Sequence, residues 1–173
     1  MRICLKPIGS IDNDILEELK ERVKRSFGCP IEIAAELDDL DQAYDPKREQ
    51  YSASTLLAKL EESGVAQDEK VLGIVDADLW APGLNFVFGQ AHTTSGAAII
   101  SLCRLRQEYY GLPVDIGLFL DRATKEAVHE LGHTFGLGHC PDIKCVMHFS
   151  NSLADTDWKQ AGFCSQCRPK LIE

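Results

Sequence analysis

Hydrophobic residues recur along this chain with two alternating periods. Arg2–Ile8 places Ile3, Leu5 and Ile8 at the spacing of a strand. Ile15, Leu16, Leu19 and Val23 then fall on one face of a helix that Asp12 or Asn13 caps and that runs to about Phe27. Lys20, Arg22, Lys24 and Arg25 lie mostly on its solvated side, and Gly28 ends it. Pro30–Leu37 predicts a second strand. Ser52 or Ser54 caps a helix through Leu56, Leu57 and Leu60 that stops at Gly64. Val71–Val75 is a short apolar run of the buried-strand kind. Strand, helix, strand, helix, strand in this order implies βαβ units and a largely parallel sheet.

Phe86–His92 and Gly96–Leu102 predict two further strands joined through Thr93-Thr94-Ser95. His92 reads as a polar strand residue, because nothing near it completes a site. Arg104–Tyr110 predicts a short helix tail. Asp121 is placed to cap the next helix, whose Ala123, Ala127, Val128, Leu131 and Phe135 face the sheet; Lys125, Glu126 and Lys159 are left to solvent. After His139 the periodicity fades into a small irregular module.

Composition narrows the class. At 173 residues, 45% hydrophobic and 26% charged, the chain fits one domain with a real core. A net charge of −9 argues against a phosphate-binding surface, and hence against nucleic acid as a partner. Glu36–Asp45 carries Asp38, Asp39, Asp41 and Asp45, but lacks the turn glycine and closing glutamate of a calcium loop, so it reads as solvated. Leu79–Cys103 has no charged residue and is long enough to span a bilayer. Its Pro82, Asn85, Gln90, His92, Thr93, Thr94 and Ser95 rule that out. Residues Met1–Gly9 contain no apolar export region, which with seven cysteines points to a reducing, cytoplasmic setting. The expected state is a monomer.

One stretch carries chemistry: His129-Glu130-Leu131-Gly132-His133-Thr134-Phe135-Gly136-Leu137-Gly138-His139. Residues four apart stand on one helix face, so His129 and His133 can offer nitrogens to one ion at ~2.0–2.1 Å. Glu130 flanks them, where its carboxylate can reach a metal-bound water. A continued helix would carry His139 about 9 Å along the axis from His133, too far to share the ion. Gly136 permits the break that turns the chain back. Three protein ligands leave a fourth position open, as in catalytic zinc sites.

This HExxHxxGxxH pattern resembles the metzincin signature of zinc peptidases. By that resemblance Met147 is the methionine of the turn beneath the metal. Cys140, Cys145, Cys164 and Cys167 extend the likeness to the archaemetzincin pattern, in which four cysteines bind a second zinc; the segment between Met147 and Cys164 is one residue shorter than is usual there. The resemblance also implies an antiparallel edge strand that holds substrate main chain by strand addition, with Phe86–His92 as the candidate. A closed four-thiolate set is structural, and it substitutes for a core that so short a module cannot build. Cys4, Cys29 and Cys103 remain as small buried hydrophobes.

The expected fold is therefore α/β. It has a mixed, mostly parallel sheet with an antiparallel edge strand, flanking helices, an active-site helix and a zinc-stapled C-terminal subdomain. Residues 1–138 form the α/β part and 139–173 the cysteine module, with the cleft between them. The expected activity is hydrolysis of peptide bonds in a peptide or protein, with two zinc ions per chain. His129, His133 and His139 hold the catalytic ion, and Glu130 is the general base and acid. The alternative is a zinc-holding peptide-binding or regulatory protein with a masked or weakly active cleft.

Overall fold

The computed structural model describes residues 1–38, 40–66 and 68–171. Asp39, part of the acidic segment, lies outside the described residues. The chain forms β1 (Arg2–Ile8), α1 (Asn13–Phe27), β2 (Ile31–Ile33), β3 (Tyr44–Asp45), β4 (Gln50–Ser52) and α2 (Ala53–Glu62). It continues as β5 (Glu69–Val75), β6 (Leu79–Trp80), β7 (Gly89–Ala91), β8 (Ala97–Ser101), α3 (Ile116–Thr134) and α4 (Leu153–Trp158).

The main sheet has the order β2-β1-β5-β8-β7, parallel except for β7, which runs antiparallel to β8 at the edge. Alternation along β5 assigns its two faces. Leu72 and Ile74 join Ile3, Leu5, Ala98 and Ile100 in a core closed by α1 and α3. Val71 and Val75 join Ala97 and Ile99 under α2. Both capped helices begin where side-chain oxygens replace missing acceptors. Asp12 accepts from Asp14 N at 2.8 Å, and Ser52 accepts from Thr55 N at 3.2 Å.

Several elements differ from the sequence expectation. The second strand is confined to Ile31–Ile33, with Leu37 making a lone parallel bridge to Ile8. Phe86–His92 shrinks to Gly89–Ala91, since Val87 instead bridges Leu79. Arg104–Tyr110 becomes part of two 3-10 turns. A small sheet, β3-β4-β6, arises from two-residue pairings too short to leave a periodic signal. Cys4, Cys29 and Cys103 are half-buried rather than buried.

α3 starts six residues earlier than expected. Asp115 is its N-cap, accepting from Leu118 N at 2.9 Å, whereas Asp121 sits inside the helix and pairs with Lys125 at 2.6 Å. Nor are Lys125, Glu126 and Lys159 solvated: they are 6%, 3% and 2% exposed. The reason is α4, which the sequence reading missed and which folds against α3. A capping box of Ser152 and Asp155 starts it. Arg122 then grips Asp157 through two bonds of 2.6 and 2.7 Å. Among the described residues, no helix is long and apolar enough to cross a membrane.

Candidate active site

α3 brings His129 and His133 together because they lie one turn apart on its inner face. Their Nε2 atoms stand 3.1 Å apart. The helix ends at Thr134, and Gly136 takes φ +82°, a left-handed conformation that costs glycine little. Leu137 N returns to Gly132 O at 3.2 Å, the chain reverses, and His139 arrives with its ring 5.4 Å from that of His129 and 4.9 Å from that of His133. One ring nitrogen from each of the three lies within 4.8 Å of the others.

The donor set fits a tetrahedral zinc. Ligands about 2.05 Å from one ion stand roughly 3.3 Å apart, near the spacing of the first two nitrogens. A carbonyl can only accept, so His129 Nδ1 donates to Val146 O at 2.8 Å and His133 Nδ1 to Leu137 O at 2.7 Å. Both bonds leave the Nε2 lone pair facing inward. Burial lowers the pKa of all three imidazoles, most strongly at His129, and so favours the neutral form that ligates.

Glu130 is buried on the flank of these rings. Loss of water pushes its carboxyl up to about 8, helped by the neighbouring charge of Glu126 and opposed by Lys159. Gly89 of β7 makes room for it: a Cβ there would come within 2.6 Å of Glu130 Cγ. Beneath the helix, Met147 is fully buried, and a Cβ at Gly132 would overlap its sulfur. The backbone beside Met147 also ties down the returning segment, with Cys140 N donating to Met147 O at 2.9 Å.

The four cysteines converge as a second set. The sulfurs of Cys140, Cys145, Cys164 and Cys167 lie within 4.8 Å of one another, and Cys140 and Cys164 are 3.8 Å apart. Four thiolates about 2.3 Å from one zinc would be separated by roughly 3.8 Å. Backbone N–H groups of Cys167 and Gln166 lower the Cys164 thiol to about 7, the form a metal needs. Burial pushes Cys167 the other way.

A cleft of about 440 Å³ opens over the histidines, walled by Phe86, Phe88 and Gly89 on the sheet side and by Phe149 after the methionine turn. β7, at the edge of the sheet among the described residues, lends Gly89 and Ala91 to its wall. His92 follows β7 and binds Glu61 at 2.6 Å, away from the three histidines.

Comparison with known proteins agrees with this arrangement. The sequence profile of peptidase family M54 matches residues 11–173. The chain belongs to peptidase family M54. It is 46% identical to the archaemetzincin of Pyrococcus furiosus, over 99% of this chain and 92% of that protein. A zinc-dependent peptidase from Methanocorpusculum labreanum superposes with a TM-score of 0.90 at 32% identity, covering 98% of this chain and 99% of that one. The archaemetzincin of Archaeoglobus fulgidus gives 0.84 at 34% identity, with 98% and 99% covered. This member of the M54 family is a zinc metallopeptidase, and its substrates are peptides or proteins.

A buried ion pair at the M54 cleft escaped the sequence reading. Glu126 lines the cleft, and Lys159 Nζ lies 3.0 Å from its Oε1 with both side chains buried. The signal for Glu126 was available: it precedes His129 by three residues and shares its helix face. Lys159 had no comparable signal, since its partner lies far away in sequence.

Proposed function

We propose that Glu130 activates the attacking water and that His129, His133 and His139 hold the zinc that this reaction needs. The observation that carries the reading is the convergence of three imidazoles beside one buried carboxyl. When bound there, zinc would supply Lewis acidity towards water and a peptide carbonyl. Glu130 takes the proton from the water as it attacks and hands it to the departing amine. β7 offers its free backbone edge to the substrate main chain. Met147 supports the ligands from below, filling the space that Gly132 leaves.

We further propose two zinc ions per chain, the second held by Cys140, Cys145, Cys164 and Cys167. The spacing of their sulfurs supports this, and a closed thiolate set makes the second ion structural. Residues 139–173 then act as a subdomain that steadies His139, with residues 1–138 supplying sheet and helix. Free thiols suit a reducing cytoplasm. Both metal sets come from one chain, which supports a monomer as the working unit.

The test is digestion of a peptide library by the zinc form, repeated with Glu130→Ala. The expected result is cleavage by the unaltered protein and full zinc content but no turnover in the variant. Equal turnover in the two would remove Glu130 from the mechanism.

A further inference from the structure

Glu126 stands one turn before Glu130 on α3 and lines the same cleft. Its Oε1 is taken: Lys159 Nζ forms an ion pair with it at 3.0 Å and Thr156 Oγ1 donates to it at 3.1 Å. Among the described residues nothing donates to Oε2. Glu126 shares the cleft wall with aromatic residues. Phe86 and Phe88 meet edge to face with centroids 5.2 Å apart, and Phe149 lies 4.8 Å from the His139 ring.

Charge decides which substrate group suits the free oxygen. Lys159 neutralises Glu126, so the pair has no negative charge to spare for a second cation. A lysine or arginine side chain would lose its water there without gaining a counter-ion, close to where a dication is held. A carboxylate only accepts, so it has no proton to give to Oε2. A purely apolar side chain would cover Oε2 and leave an acceptor without water or partner. A neutral hydroxyl on a flat apolar stem meets none of these costs, because it donates to the carboxylate while its ring packs on the phenylalanines.

We propose that Glu126 determines specificity: its Oε2 accepts a hydrogen bond from the hydroxyl of a substrate tyrosine adjoining the scissile bond. The proposal rests on the peptidase reading above. Glu126 acts on substrate selection, and Lys159 and Thr156 hold it in place.

The experiment uses the zinc-loaded enzyme and peptides that differ at one position beside the cut, carrying tyrosine, phenylalanine or O-methyltyrosine. Tyrosine is expected to be cleaved with kcat/KM roughly tenfold above phenylalanine, and O-methyltyrosine no better than phenylalanine. Glu126→Gln keeps an oxygen for Lys159 and Thr156 but turns an amide towards the substrate, and the preference should fall to within about twofold. A second variant, Glu126→Leu with Lys159→Met, removes both buried charges together and so guards against misfolding. It should lose the preference as well. Calorimetry on zinc-loaded Glu130→Ala, with the same peptides, separates selection from turnover. Cleavage of none of the peptides would count against the peptidase reading, while tighter binding of the tyrosine peptide would still support Glu126. Equal binding of tyrosine and phenylalanine peptides, or a preference unchanged in both variants, overturns the proposal.

Discussion

Glu130 illustrates how one residue's surroundings set its chemistry. In the metal-free chain its carboxyl keeps a proton up to about pH 8, against an ordinary value of 4.5, chiefly because it is buried. The folded chain therefore holds more protons than the unfolded one between those values, so stability falls as pH rises through that window. Glu130→Gln removes this loss. With zinc chelated, the variant and the unaltered chain should be equally stable at pH 4.5. Above pH 8 the variant should lead, by at most roughly 1.4 kcal/mol for each pH unit between the two values. Urea unfolding in chelator at the two ends of the window checks this; a constant difference contradicts it. Gly132 is the other residue whose surroundings decide its role. Gly132→Ala should cost about 1–3 kcal/mol of stability, because the new methyl meets Met147 under a helix that cannot shift without moving two histidines. Thermal unfolding reads this directly.

At the level of elements, the break after α3 matters most. Gly136 and Gly138 both have open space where a Cβ would go, but only Gly136 has positive φ. Gly136→Ala should therefore cost about 1 kcal/mol and weaken zinc binding, while Gly138→Ala should be close to neutral. Denaturant titration and metal competition on the pair separate backbone strain from packing. Much of this region was legible in the sequence because local rules govern it: histidines at helical spacing, a glycine break and a returning third histidine. The same holds for α1, whose Asp12 cap and Gly28 end stand where pattern and capping chemistry place them. Legibility failed where distant segments decide. Asp115 and Asp121 are both plausible caps by residue type, and only the extra length of α3 packed on the sheet selects Asp115. Lys125 and Glu126 look like solvated helix charges until α4 folds over them.

Across the whole molecule, the C-terminal module joins the two metal sets. His139 and Cys140 are neighbours, and Cys140 N and His148 Nδ1 tie that junction to the methionine turn at 2.9 and 3.0 Å. An ion pair of buried Arg122 with exposed Asp157 and a fully buried one of Glu126 with Lys159 fasten the module to α3. Loss of the four-cysteine ion should thus reach the cleft. Cys167→Ala is expected to lose one zinc and to lower turnover at least tenfold, although Cys167 touches no substrate. Metal content and peptide cleavage measured together would show it. The most direct test of the account is X-ray absorption at the zinc edge on the purified protein, with metal counted per chain. Two ions per chain are expected, one with nitrogen and oxygen neighbours at ~2.0–2.1 Å and one with four sulfurs at ~2.3 Å. A single ion per chain, or sulfur bound to both, would contradict it.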